Sequence, residues 1–291
     1  MFKTIEELIK LAERNGGKIS IGVKKLEAKA MGKTEKELFL KMKVYYTIMK
    51  EAAERGITSE IYSISSLTGG EGKKLWDAAD TTLAGATIIR AAALAMAVSN
   101  VNASMGKIVA APTAGSCGIL PGALIAAGEK LSKSDDEIVD SLFTAAAVGK
   151  VIALNATLAG AEGGCQAECG TASAMAAAAI VELAGGSPKQ VGNAVAIAIK
   201  AVMGLVCDPV AGLVEVPCIK RNAMGAVEAI VAADMAMADI ESVIPPDEVI
   251  VAMKEVGRML PNKLKETAMG GLAATPTGKK IKEGFKIYNS S

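Results

Sequence analysis

Runs of small apolar residues, set between breaks rich in glycine and proline, restrict the fold of this chain more than any other feature. Thr171–Ala184 and Met224–Ala238 are rich in alanine, with scattered valine, isoleucine and methionine. Small side chains suit helices and let one helix approach another closely. Sustained period-two alternation, the mark of a half-buried strand, appears only in short stretches such as Lys18–Val23. No strand–helix–strand rhythm, internal repeat or linker is visible. The pattern predicts an all-α fold in one domain over 1–291. Residues 1–60 read as a peripheral helical layer, 61–271 as the helical core and 272–291 as a mobile tail.

Local signals place the helices. Thr4 with Glu7, Thr34 with Glu37 and Ser134 with Glu137 fit the capping-box pattern, and Ser187 precedes a proline suited to a first turn. They predict helices near 4–14, 34–55, 134–159 and 189–205, with Gly56 as a stop. Others are expected near 73–80, 82–99, 171–184 and 221–238, with one starting at Pro121 and one at Pro245–Pro246–Asp247.

Composition removes several functions. Hydrophobic residues make up 51% of the chain and mean hydropathy is +0.35, so membrane spans need checking. Glu182 interrupts the first alanine-rich run, and Glu228 and Asp234 the second. Neither reaches the roughly 18–20 uncharged residues a span requires, so both read as buried core. Lys plus Arg number 32 against 31 Asp plus Glu, and aromatics are 3%. That balance predicts neither nucleic-acid binding nor an anionic membrane surface. Met1–Arg14 is amphipathic and lacks a signal-peptide core. With five cysteines, an odd number, the chain fits a reducing cytoplasm without structural disulfides.

The chain has no histidine, and three of its cysteines, Cys165, Cys207 and Cys218, sit in Gly- or Pro-rich breaks. Unpaired N–H groups at helix ends can hydrogen-bond thiolate sulfur and lower its pKa. Three thiolates leave one position of a four-coordinate or four-iron centre unfilled by this chain. The alternative is that each is a small buried hydrophobe.

The neighbouring residues carry more information. Gly163–Gly170 reads GGCQAECG, Gly204–Gly212 reads GLVCDPVAG and Val216–Asn222 reads VPCIKRN, preceded by SSLTGGEG at 65–72 and APTAG at 111–115. In order and spacing these resemble the α chain of the iron–sulfur-dependent L-serine dehydratases, or L-serine ammonia-lyases. The resemblance implies that Cys165, Cys207 and Cys218 hold a [4Fe–4S] cluster whose fourth iron binds substrate. It implies deaminating dehydration of L-serine to pyruvate and ammonia, with that iron as Lewis acid and no pyridoxal phosphate. Cys117 and Cys169 are then packing residues. Fused family members carry a β region with a Ser-Ser-His-Thr motif, which a chain without histidine cannot contain. This chain therefore resembles a separate α subunit that needs a β partner. No cysteine follows Cys218, so a C-terminal cysteine cannot cover the open iron.

Substrate-binding candidates follow from the chemistry of a carboxylate. Arg221 could pair with it, or could be an ordinary salt-bridge arginine. Asn222 lies beside it. The loop containing Ser65, Ser66, Thr68, Gly69 and Gly70 could form a nest of N–H groups, as could Thr113, Gly115 and Ser116. Both could equally be plain turns between helices. For the general base, Ser65, Ser66, Lys73 and Lys200 are candidates. Asp208 reads as a structural cap. Two other readings remain open: a related iron–sulfur lyase such as an L-cysteine desulfidase, and a non-catalytic scaffold binding a cluster or zinc, with Cys169 as an extra sulfur.

Overall fold

A computed structural model describes residues 2–288. Among them there are 13 α-helices and no strand. The end of the tail, 289–291, lies outside the described residues.

The first three helices are α1 (Ile5–Glu13), α2 (Ile19–Met31) and α3 (Glu35–Thr58). The core then runs through α4 (Glu71–Asp77), α5 (Ala86–Ala103), α6 (Ile119–Lys130), α7 (Asp135–Asn155), α8 (Gly160–Gly163) and α9 (Thr171–Leu183). It continues with α10 (Pro188–Ala201), α11 (Cys218–Met237), α12 (Pro246–Met259) and α13 (Pro276–Tyr288). The segment from Leu272, read from composition as a mobile tail, forms the end of a short 3-10 turn, Gly271–Ala274, and then α13.

Helix α9 is the centre. Every residue from Thr171 to Leu183 is buried, and α6, α7, α10 and α11 pack around it. Alanine makes this possible, because four neighbours can crowd a helix only if its side chains are short. Helix α5 is a second hub, contacted by α3, α4, α6 and α11. Glycines bring the backbones together there. A Cβ added at Gly56 of α3 would lie 2.6 Å from Ala97 Cα, and one at Gly72 of α4 also 2.6 Å from it. On the α6 side, a Cβ at Gly118 would lie 2.1 Å from the Ala95 carbonyl oxygen.

Helix α5, rather than either alanine-rich run, has the length and composition of a membrane span, with mean hydropathy 1.3 over 18 residues. Ten of those residues are buried against the neighbouring helices, Ala91–Ala95 and Ala97–Val101.

The capping boxes at Thr34, Ser134 and Ser187 form. At Thr4 only half does: the Thr4 hydroxyl accepts from Glu7 N, while the Glu7 carboxylate turns to the Lys3 amide. Helix α2 replaces the strand-like reading of Lys18–Val23. Its first amides, Ile19 N and Ser20 N, donate to the buried Glu182 carboxylate at 2.7 and 3.2 Å. Asp247 likewise accepts from Ile5 N at 2.7 Å and Glu6 N at 3.1 Å. Carboxylates from α9 and α12 thus cap α2 and α1 and fasten the outer layer to the core.

If the α3–α5 contact depends on a missing side chain, Gly56→Ala should lower stability by about 1–3 kcal/mol. Gly284→Ala on α13, where a Cβ would meet nothing within 4 Å, should be neutral or stabilising by up to about 1 kcal/mol. Urea-unfolding midpoints would separate the two; equal midpoints would contradict the close-packing account.

Candidate metal centre

The three cysteines arrive from three different breaks between helices. Cys165 follows α8 and leads into one π-turn, Gln166–Gly170, which continues into α9. Gly164 before it has φ 77°, and a Cβ there would lie 2.8 Å from the Leu205 carbonyl oxygen. Gln166 is fully buried and locks the turn in place. Its Nε2 donates to Gly163 O and Met253 O at 2.9 and 3.0 Å, and its Oε1 accepts from Gly204 N at 2.8 Å. Cys207 lies in the loop between α10 and α11. It is held by a two-bond bridge, Cys207 N to Leu264 O at 2.9 Å and Glu266 N to Cys207 O at 2.8 Å. Cys218 is the first residue of α11.

These residues meet. Cys165 and Cys207 are buried together with Cys169, Ile119 and Ala172, against Leu205. Burial raises the Cys207 thiol pKa, and charge on Cys165 raises it further. The Cys218 thiol is pushed up to about 12 by the same two causes in the same order. Among the described residues, no three His, Cys, Asp or Glu side chains gather at the spacing of a single ion.

The remaining two cysteines differ from each other. Cys117 is buried in the main core, and burial pushes its thiol up to about 12. Cys169 instead places its sulfur 3.2 Å from that of Cys165. The π-turn puts both on one side, a widened helix geometry common at functional sites. Their hydrogen bond lowers the Cys165 pKa against the effect of burial, and the nearby Arg221 charge adds to the lowering. The same bond, with burial, raises the Cys169 thiol.

Arg221 lies at this centre, beside Cys165, but its guanidinium is largely engaged. Nη1 donates to Val206 O at 2.9 Å, and Nη2 sits 2.9 Å from Asp208 Oδ1. That second approach lies off the hydrogen-bonding axis, so it is ionic rather than directed. Asp208 Oδ2 accepts from Leu272 N at 2.8 Å, so the carboxylate caps an N–H group 64 residues away rather than a local one. Asn222 is also fully used. Its Oδ1 accepts from Gly118 N at 2.9 Å, and its Nδ2 donates to Gly115 O at 2.7 Å and Cys218 O at 2.9 Å. It ties the 111–118 loop to α11.

The two candidate loops behave differently. In the first, the amides of Ser66 and Gly70 bond to Ser63 O and Ile61 O. Those of Leu67 and Thr68 bond to the Ser65 and Ser63 hydroxyls. Gly69 bridges to Tyr62, and the hydroxyls of Ser65 and Thr68 both donate to the buried Glu215, each at 2.8 Å. This loop folds inward on Glu215, with Ser66 exposed. In the second loop, the amides of Thr113, Ala114, Gly115 and Ser116 donate to no partner among the described residues. The Thr113 and Ser116 hydroxyls are 3.0 Å apart. Of the lysine base candidates, Lys73 pairs with Asp77 at 2.7 Å, and Lys200 donates to Ser242 O at 2.7 Å.

Sequence reading gave no role to Glu168 or Glu215. Glu168 was visible within GGCQAECG, three residues after Cys165. It lies against the second loop: a Cβ at Gly115 would be 3.2 Å from Glu168 Oε1. Burial raises its pKa, partly offset by the facing Thr113 hydroxyl. Glu215 had no local signal, because its partners lie far away in the chain.

Comparison with known proteins agrees with the motifs. Residues 14–273 match the family profile described as serine dehydratase alpha chain. A Bacillus subtilis protein named as a probable L-serine dehydratase alpha chain is 49% identical, covering 100% of this chain and 97% of that protein. The L-serine dehydratase alpha chain of Peptoniphilus asaccharolyticus is 45% identical over 98% of both. A Streptomyces coelicolor L-serine dehydratase is 40% identical over 94% of this chain but only 60% of its own length. With its helical core, converging cysteines and full-length relatives, this chain belongs to the serine dehydratase alpha chain family.

Proposed function

We propose that this chain is the α subunit of an enzyme that dehydrates and deaminates L-serine to pyruvate and ammonia. The observation that carries the reading is the convergence of Cys165, Cys207 and Cys218, from three separate breaks in the chain, beside Arg221.

The donor set fits a [4Fe–4S] cluster bound by these three thiolates. Three sulfurs gather without histidine, and their combined negative charge has local compensation. Arg221 and the Cys169 thiol group both face Cys165, and Cys218 heads α11, whose N-terminal dipole favours a thiolate. When bound, the cluster supplies a Lewis-acidic iron, free of a protein thiolate, that stabilises charge on the departing oxygen of serine.

The chain's own groups do the rest. The free amides of 113–116 offer N–H donors for the serine carboxylate. Asn222 fixes that loop relative to Cys218, so carboxylate and thiols are held in one frame. Arg221, fixed by Asp208 and Val206 O, lends positive charge to the Cys165 side of the pocket.

Two relatives are named as alpha chains, and a third, longer protein is named as an L-serine dehydratase. This supports a β partner that supplies the remainder of the site. All five cysteines are free and four are buried, which suits a reducing compartment such as the cytoplasm. One observation favours a second reading, zinc held with help from Cys169: the 3.2 Å contact between Cys165 and Cys169. No third donor joins that pair at single-ion spacing among the described residues.

Anaerobic reconstitution with iron and sulfide should give a brown protein, and Cys→Ser at 165, 207 or 218 should abolish the colour. Cys117→Ser should keep it. A colourless protein carrying one zinc would refute the cluster. The reconstituted α chain mixed with its β partner should form pyruvate from serine, and either chain alone should be nearly inactive. Sulfide release from cysteine without pyruvate from serine would instead mark a desulfidase.

A further inference from the structure

Among the carboxyl groups within the core, Glu168 stands apart. Glu182 caps α2, Glu215 accepts from Ser65 and Thr68, and Asp208 holds Arg221 and Leu272 N. Glu228, whose pKa burial raises to about 8, lies within α11 near Ser173. Among the described residues Glu168 has no cationic partner, and Thr113 is the one side chain offering it a hydrogen bond.

Its position is what matters. Glu168 Oε1 lies against Gly115, in the loop with the free amides. Its Oε2 also faces Gly115, 3.5 Å from where a Cβ there would lie, and reaches toward the thiols. A Cβ at Gly160 would be 2.7 Å from Glu168 Oε2 and 3.1 Å from Cys207 Sγ. The carboxylate thus lies between the N–H donors of 113–116 and Cys207. A serine with its carboxylate on those amides and its hydroxyl toward the thiols would bring its Cα to this carboxylate. Side chains at 115 or 160 would run into the Glu168 oxygens, and both positions are glycine.

We propose that Glu168 is the base that removes the α-hydrogen of serine. The assignment rests on the serine dehydratase reading above. The Cα–H bond breaks and the proton passes to a Glu168 oxygen, while its electron pair becomes the Cα=Cβ bond. The Cβ–O bond breaks and oxygen leaves with its electrons, to be protonated to water. The aminoacrylate tautomerises, and water hydrolyses it to pyruvate and ammonia with no net redox change. The other base candidates are engaged or placed elsewhere: Lys73 on Asp77, Lys200 on Ser242 O, Ser65 on Glu215, and Ser66 on an exposed turn.

The test uses the reconstituted α–β complex carrying Glu168→Gln or Glu168→Asp. Glu168→Gln should keep the wild-type iron and sulfide content and absorption spectrum. It should bind serine by calorimetry within about threefold of wild type, yet lose about 10²–10⁴-fold in kcat. It should also stop releasing deuterium to water from α-deuterated serine. Glu168→Asp should recover part of kcat with KM little changed. A Glu168→Gln complex within threefold of wild-type kcat would overturn the assignment and place the base on the partner chain. Loss of the cluster in both variants would also overturn it, by showing the carboxyl to be part of the cluster cradle. A wild-type complex with cluster but no pyruvate would refute the serine reading itself, and this assignment with it.

Discussion

Everything in this fold follows from the burial of α9. Four helices cover its sides, so no ligand can approach along its length, and only its ends can meet anything else. The π-turn at its N-terminal end carries Glu168 and Cys169, and Cys165 immediately precedes it. Helix α11 packs on α9 and starts with Cys218. The alanine core therefore does more than exclude water. It fixes where two of the three converging cysteines begin their helices, and a shift of α11 along α9 would pull the thiols apart.

Charge balance is the second constraint. Gathering three thiols in a largely buried place is unfavourable once they ionise, as the raised Cys207 and Cys218 values indicate. The compensation is concentrated on Cys165, through its hydrogen bond with Cys169 and the charge of Arg221. Asp208 takes part of the Arg221 charge and ties it to the segment before α13 through Leu272 N. A Cβ at Gly271 would lie 2.3 Å from Asp208 Oδ2, and Gly271 has φ 55°. The chain after α12 is thus built closely against the Cys207–Asp208 loop, and its backbone also holds Cys207 directly.

Legibility in the sequence tracks how local each cause is. The boxes at Thr34 and Ser134 were readable because cap and partner lie within one turn, while at Ser187 only the cap before Pro188 was read and the Gln190 half of the box was missed. Helix α2 was not readable, because its cap is Glu182, 163 residues from Ile19. Its first residues alternate, and the capping carboxylate arrives only with the tertiary fold. The three cysteines could be nominated from their breaks and motifs, but their convergence depends on α9 and α11 packing. The short loop at 63–70 illustrates the opposite limit. Its Ser, Thr and Gly residues suited an anion nest, yet Glu215 already occupies their hydroxyls, and no residue near that loop in sequence announces it.

The same distinction bears on how the proposed substrate carboxylate would be held. Arg221 has the right chemistry for a carboxylate, but its position beside Cys165 is set by Asp208 and Val206 O. Withdrawing it to bind substrate would leave a nearly buried Asp208 without its counter-ion, which is costly in a low-dielectric setting. The amides of 113–116 involve no such conflict, since they have no partner to give up among the described residues. Asn222 holds them against the first turn of α11 with three hydrogen bonds. On the proposed serine reading, carboxylate recognition would fall to backbone dipoles, and the guanidinium would remain with the sulfur.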